Sequence, residues 1–152
     1  MAGRGRSPGL LWAGVVAPVL FTIVYLVEGA VRPGYDPMRH QVSLLSLGDD
    51  GWIQILSFLI TGVLLIVFAI VLRRVLADGP GTVGAPLAIG ISGAGFVVAG
   101  LFTTQPLFGY PPGTPPGMAT DVTAASLLHV VGAGAIFLGL VAASLGFGRR
   151  FW

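Results

Sequence analysis

The sequence predicts an all-α protein: a polytopic membrane bundle of four helices with both termini in the cytoplasm. Three observations predict it. Of the 152 residues, 55% are hydrophobic and only 9% are charged, whereas a soluble domain has about 25% charged residues because water must wet its surface. Four apolar segments have the length of about 20 residues that a membrane-spanning helix needs. The arginines, finally, gather on one side of the threaded chain.

The four predicted spans cover residues 10–31, 52–72, 83–102 and 122–145, each to within a few positions. Residues that interrupt helices separate them: 32–34 (Arg-Pro-Gly), 78–81 (Asp-Gly-Pro-Gly) and the proline-rich segment 105–120. The first apolar run is longer than the core of about 7–15 residues in a signal peptide, so we expect it to stay as an uncleaved span. Residues 1–152 are therefore predicted to form a single integral membrane domain.

The orientation of the chain follows from its basic residues, all eight of which are arginine. Arg32 and Arg39 fall on one side of the predicted membrane. The other six fall on the opposite side: Arg4, Arg6, Arg73, Arg74, Arg149 and Arg150. Because cytoplasmic loops carry the excess of arginine and lysine, both termini are predicted to be cytoplasmic. The basic charge thus reports topology, and we expect the lipid bilayer, not nucleic acid, as the surrounding partner.

The first outer loop is predicted to hold a short interfacial helix over residues 38–47. Asp36 followed by Pro37 is typical of a helix N-cap and first helical position, and Gly48 is a typical helix stop. The second outer loop, 105–120, contains too many prolines and glycines for another such helix. We therefore predict a lid or surface loop there.

Polar side chains inside the spans concentrate in the predicted outer halves. An ionisable side chain at the centre of a membrane helix costs about 2.5–3.5 kcal/mol on insertion scales, so it usually has a partner or a function. Glu28 and His129 are the candidate catalytic acid and base. The candidate ligand-binding residues are Tyr25, Arg32, Arg39, His40, Gln54 and Gln105. Together they predict an outward-facing polar pocket that binds or modifies a lipid-like small molecule.

Structural roles remain open for the same residues. Glu28 and Arg32 are four positions apart, as in a stabilising acid-before-base pair on one helix. His129 has a hydrogen bond to the first or second helix as its structural alternative. Glu28, His40 and His129 are suitable zinc ligands but lack a ligand-spacing pattern, and two histidines are too few for a two-haem, four-histidine cytochrome. We therefore predict no metal and no cofactor, and leave open whether the protein is an enzyme.

A second class of function is a non-catalytic scaffold or accessory subunit of a membrane complex. Small residues recur four positions apart in the third and fourth helices, for example Gly95 with Ala99 and Ala135 with Gly139. Such spacing allows two helix backbones to approach closely in lipid. These faces could bind another membrane protein or a second copy of the chain.

Several motifs resemble the bacterial membrane family filed as domain of unknown function 998. They are the segment 35–46 (YDPMRHQVSLLS), Gly51-Trp52, Phe58, the segment 100–106 (GLFTTQP) and Leu128-His129. The resemblance implies a protein integral to the bacterial plasma membrane and implies no particular activity. The chain departs from the family pattern at Gln105, where members often have an acid, and members commonly continue with further spans.

Overall fold

The structure, a computed structural model, describes residues 8–76 and 79–151. These residues form four α-helices: α1 (Ala13–Val31), α2 (Gly51–Val75), α3 (Gly84–Leu101) and α4 (Ala124–Phe151). Two 3₁₀ helices, Pro8–Trp12 and Val42–Ser46, precede α1 and α2. Each of the segments Gly9–Val31, Gly51–Val75, Gly84–Leu101 and Ala124–Arg150 is long and apolar enough to cross a membrane. The prediction of an all-α chain with four membrane helices is confirmed.

Basic residues occupy the last turns of two helices, which run further than predicted. Arg73 and Arg74 belong to α2, and Arg149 and Arg150 belong to α4. A positive charge at a helix C-terminus interacts favourably with the helix dipole. Because consecutive helices run antiparallel, all four side chains lie at one end of the bundle, which we call the arginine end. Arg4 and Arg6, also used for the predicted orientation, lie outside the described residues.

The helices pack in the order in which they occur in the chain. Each of α1, α2 and α3 packs against the helix that follows it, and within the described residues α1 and α4 form no packed interface with each other. The bundle is therefore an open row, with α1 at one edge and α4 at the other. Exposed apolar side chains cover the free faces of both edge helices, such as Ile23 of α1 and Phe137 of α4.

Pairs of glycines bring the helix backbones into contact. A Cβ on Gly62 of α2 would lie 2.6 Å from the carbonyl oxygen of Gly93 in α3, and a Cβ on Gly93 would lie 2.8 Å from that of Gly62. Gly95 of α3 and Gly132 of α4 face each other in the same reciprocal way, at 2.6 and 2.8 Å. No side chain fits at these positions, so the packing of α2 on α3 and of α3 on α4 requires glycine.

The small residues predicted to mediate close packing are used inside the chain. Gly95 packs against α4, Gly139 packs against Ala88 and Ser92 of α3, and Ala99 is buried. These faces are consequently not available to an external partner, which would have to use other surfaces.

The predicted helix over residues 38–47 is shorter than expected. Asp36 makes one turn by accepting hydrogen bonds from the backbone of Met38, Arg39 and His40, and Gln41 is then extended, at φ −70° and ψ 151°. The extended residue ends the turn, and only Val42–Ser46 forms a 3₁₀ helix. Both its serines and its leucines are buried, so it has no polar face toward water.

Candidate functional site

Two long loops cover the end of the bundle opposite the arginine end. We call residues 32–50 and 102–123 the cap, and this end of the bundle the cap end. Most of the predicted site residues lie in the cap or in the helix turns next to it. The cap therefore determines how those side chains are held.

Arg32 is the centre of the largest polar network in the cap. Its Nε lies 3.2 Å from Glu28 Oε2, and its Nη1 lies 3.3 Å from Asp50 Oδ2. Its Nη2 donates hydrogen bonds to the carbonyl oxygens of Leu45, at 2.7 Å, and Leu47, at 3.1 Å. One buried guanidinium thus joins the end of α1, the 3₁₀ helix Val42–Ser46 and the start of α2.

The predicted pairing of Glu28 with Arg32 is present in the structure. The contact between Glu28 Oε2 and Arg32 Nε is an ion pair without hydrogen-bond geometry, so Oε2 has charge compensation but no donor aligned with it. Glu28 is 5% exposed. Asp50, the residue before α2, makes no side-chain cap on that helix and forms an ion pair with Arg32 instead.

A row of buried polar side chains on α2 has no hydrogen-bond partner in the part of the chain that the structure describes. Gln54, Ser57 and Thr61, which we call the polar row, are 0%, 2% and 1% exposed. Both amide atoms of Gln54 and the hydroxyl oxygens of Ser57 and Thr61 lack a hydrogen-bond partner within residues 8–76 and 79–151. More than about 90% of buried polar groups in native proteins have a partner, so three neighbours without one form an unusual site.

Other hydroxyls in the membrane helices behave differently. Ser92 Oγ donates to the carbonyl oxygens of Ala88 and Ile136, and Ser144 Oγ donates to that of Leu140. Bonding to the carbonyl four residues earlier is the usual way for a helix to satisfy serine in lipid. The hydroxyls of Ser57 and Thr61 do not use it, so both remain able to bond to another group.

The polar row faces α1. Phe68 marks the side of α2 that packs on α1, since a Cβ on Gly14 of α1 would lie 2.7 Å from the Phe68 ring. Viewed along the α2 axis, the three residues of the polar row lie within about 40° of Phe68. Together with the ion pair between Arg32 and Asp50, the contact of Phe68 with α1 fixes the register of the antiparallel pair. In that register Glu28 lies at the level of Gln54.

His129 is held by the C-terminal end of α3. Its Nδ1 lies 3.0 Å from the carbonyl oxygen of Ala99 and 2.9 Å from that of Phe102. Because both neighbours are acceptors, Nδ1 carries a proton and donates to these carbonyl oxygens. The alternative of a hydrogen bond to the first or second helix is wrong, because the hydrogen bonds of His129 found among the described residues go to α3. From α2, the Phe58 ring meets the His129 ring edge to face, with the ring centroids 6.1 Å apart.

The two candidate catalytic residues are held by different pairs of helices. Glu28 contacts Arg32 at the α1–α2 seam, and His129 contacts α3 carbonyls from α4. Within the described part of the chain, neither a hydrogen bond nor an ion pair joins them. Their acid and base roles stay a prediction.

His40 connects the two loops of the cap. Its Nδ1 accepts a hydrogen bond of 2.9 Å from the backbone N–H of Asp36, so its Nε2 is protonated and donates to the Phe108 carbonyl at 3.1 Å. Both ring nitrogens are thus engaged with backbone groups, and neither is available to a ligand or a metal. Among residues 8–76 and 79–151, no group of three or more His, Cys, Asp or Glu side chains is placed to hold a metal ion.

Tyrosine rings complete the cap around His40. The rings of Tyr35 and Tyr110 meet edge to face at 5.5 Å, and each lies within 5.6 Å of the His40 ring. Tyr35 Oη donates to the His40 carbonyl, and burial raises the pKa of both Tyr35 and Tyr110 above their ordinary value. Tyr25 of α1 packs against this cluster. The proline-rich loop is therefore a surface loop fixed by Tyr110, which the sequence analysis did not single out.

Arg39 and Gln105, also predicted to bind a ligand, lie in the two loops of the cap. Arg39 is exposed. Gln105 Oε1 accepts a hydrogen bond of 3.3 Å from the backbone N–H of Thr123, just before α4 begins. Gln105 thereby ties the second loop of the cap to the start of α4, and neither residue bonds to the polar row.

Replacing His40 with alanine is expected to loosen the cap, because the Asp36 N–H and the Phe108 carbonyl would both lose their partner. Each unsatisfied buried group costs about 1–3 kcal/mol. Limited proteolysis with a protease of broad specificity should then cut residues 105–120 faster than in the wild type. Met38→Ala is the matched control, since Met38 is 90% exposed. Equal cleavage of the two variants would contradict the role given to His40.

The chain matches the sequence model of a known protein family. The sequence model of the family described as "Protein of unknown function (DUF998)" matches residues 15–152. No curated protein and no solved structure matches the chain. The family match covers all but the first 14 residues, in agreement with the resemblance found in the motifs. The chain therefore belongs to DUF998, a family of proteins of unknown function.

Proposed function

We propose that the protein is a multi-pass protein of the bacterial plasma membrane, with cytoplasmic termini and an outward-facing cap end, whose polar row binds the head of a lipid-like small molecule. One observation carries the proposal. Gln54, Ser57 and Thr61 are fully buried and present four side-chain atoms without hydrogen bonds. A polar ligand that bonded to these atoms would remove the cost of their burial.

The chemistry of the site favours an uncharged head that carries hydroxyl or amide groups. The amide of Gln54 offers donors and an acceptor, and each hydroxyl of the row offers both. The carboxylate of Glu28, at the level of Gln54, is already compensated by Arg32. A net charge on the ligand would therefore have no counter-charge in the site, whereas a polyol or sugar head would find matching partners.

The position of the row suits an amphipathic ligand. It lies at the seam between α1 and α2, and α1 is an edge helix that leaves apolar side chains such as Ile23 and Leu26 exposed. A molecule with an apolar tail would reach this seam from the bilayer and keep its tail on the apolar surface. If binding leads to chemistry, Glu28 and His129 remain the residues proposed as acid and base.

Gln54→Leu tests the proposal because it replaces the amide, with its hydrogen-bonding groups, by an apolar side chain of similar size. Wild-type protein, purified in mild detergent, is expected to bind diacylglycerol, a hydroxyl-headed probe, and the variant to bind at least about tenfold less. Native mass spectrometry measures the bound fraction. Ser144→Ala is the matched control, since its hydroxyl is exposed and bonds within α4.

Unfolding measurements in the absence of probe separate a binding site from a structural one. If the polar row exists to bind a ligand, Gln54→Leu should leave the free energy of unfolding unchanged or raise it. The reason is that the unpartnered amide nitrogen and oxygen of Gln54 disappear. A loss of more than about 1 kcal/mol, together with unchanged diacylglycerol binding, would overturn the proposal and assign the row a structural role.

The scaffold alternative is favoured by the open row of helices. Because α1 and α4 do not pack together, their apolar outer faces could contact another membrane protein or a second copy. In that case gentle extraction with detergent should recover a stoichiometric complex. A monodisperse monomer that binds the probe would favour the ligand-binding proposal.

A further inference from the structure

A second feature lies at the arginine end, away from the polar row. A cavity of about 410 Å³ opens between α2 and α3, a volume in the range of small-molecule sites. Its lining is apolar except at one end, where two arginines of the last α2 turn stand. Its lining includes Ile66, Ile70, Arg73, Arg74, Leu87 and Gly90.

Small residues open the cavity between the helices. A Cβ on Gly90 would lie 3.6 Å from the Cβ of Ala69, so the two helices face each other here without a large side chain between them. Ile70 and Leu87, 48% and 61% exposed, stand at the rims. Exposed apolar side chains within two membrane-spanning helices face lipid, so the cavity is a groove that opens toward the acyl chains.

The dimensions of the groove suit a hydrocarbon chain that ends in a charged group. From Ile66 to Arg74 the groove follows about 12 Å of α2. Arg73 and Arg74 are exposed, and within the described residues neither forms an ion pair. A guanidinium binds phosphate oxygens through two parallel N–H donors, which gives both strength and orientation.

We propose that this groove binds an anionic phospholipid, with one acyl chain between α2 and α3 and the phosphate on Arg73 and Arg74. Charge complementarity and the apolar lining argue for this one occupant, since a soluble phosphate would gain nothing from the apolar part. Basic pockets between membrane helices on the cytoplasmic side are recognised sites for anionic lipid heads. The groove lies between α2 and α3, whereas the polar row lies on the side of α2 that faces α1. The two sites share no residue, so this proposal is independent of the proposed function.

Native mass spectrometry with phosphatidylglycerol and phosphatidylcholine as probes tests the charged half of the proposal. Wild-type protein is expected to retain phosphatidylglycerol in preference to phosphatidylcholine. Arg73→Gln and Arg74→Gln should each reduce the retention of phosphatidylglycerol about fivefold, and the double variant about 30-fold. Arg149→Gln is the matched control because it removes one charge from the same end but not from the groove. Equal losses in Arg73→Gln and Arg149→Gln would overturn the proposal.

A separate experiment tests whether an acyl chain lies in the groove between α2 and α3. Gly90→Leu fills the groove and leaves both arginines in place, so phosphatidylglycerol retention should fall, while Gly90→Ala, with room for a Cβ, should retain it. Millimolar inorganic phosphate should not displace the lipid from the wild type. Displacement by phosphate, or full retention by a folded Gly90→Leu variant, would show that the groove does not hold the chain and would overturn the proposal.

Discussion

Replacing Arg32 with methionine is expected to destabilise the protein by about 3–5 kcal/mol, the usual effect of removing one partner from a buried ion pair. The buried carboxylate of Glu28 would lose its counter-charge, and the carbonyl oxygens of Leu45 and Leu47 would lose their donor. The end of α1 would then separate from the start of α2. Unfolding by a denaturing detergent, followed by circular dichroism, measures the change.

The loss should be specific to the charge network. Arg39→Met is the matched control, because Arg39 lies in the same loop but is exposed, and it should change the free energy of unfolding by less than about 0.5 kcal/mol. Adding Glu28→Gln to Arg32→Met should recover part of the loss, since a neutral amide needs no counter-charge. A double variant that is less stable than Arg32→Met alone would refute this account of the network.

Gly132→Val is expected to disrupt the packing of α4 on α3. The new Cβ would meet the backbone oxygen of Gly95 at 2.8 Å and the backbone nitrogen of Ala99 at 3.0 Å. Backbone atoms cannot rotate away as side chains do, so the two helices must separate. Overpacking of a well-packed core costs about 1–3 kcal/mol and occasionally more, and we expect the upper part of that range or beyond.

A neighbouring glycine provides the control for this experiment. Gly134 lies on the same helix two residues later, and nothing stands within 4 Å of the position of its Cβ. Gly134→Val should cost little, and Gly134→Ala should be neutral or stabilising by up to about 1 kcal/mol because alanine favours helix. The thermal midpoint in detergent compares the variants. Similar losses in Gly132→Val and Gly134→Val would show that close backbone approach does not govern this interface.

The helices could be predicted because the length of an apolar run is a signal that needs no knowledge of neighbours. Four such runs appear in the sequence, and four helices of matching position appear in the structure. The small residues Gly95 and Gly139 were likewise correctly expected at close contacts. Gly132, which faces Gly95, and the pair Gly62 and Gly93 were not singled out. A crossing point depends on how two helices align and not on the spacing within either.

The cap was harder to predict, since tertiary contacts override its local signals. Asp36, Pro37 and Gly48 favour a single helix, but the extended Gln41 divides the segment and lets Leu44 and Leu45 enter the core. The placement of Gln54, Ser57 and Thr61 on one helix face is predictable, because they are three and four positions apart. That Arg32 would also reach Asp50, and that His129 would bond to α3, depends on register between helices, which one sequence does not reveal.

The order of the helices in the row also bears on how the protein is made. Since each helix packs on the one synthesised just before it, a helix finds its packing partner as soon as it enters the bilayer. Folding dominated by local contacts is fast and exposes few unpaired intermediates. The pair α1 and α2, locked by Arg32, can therefore serve as the template on which α3 and then α4 assemble.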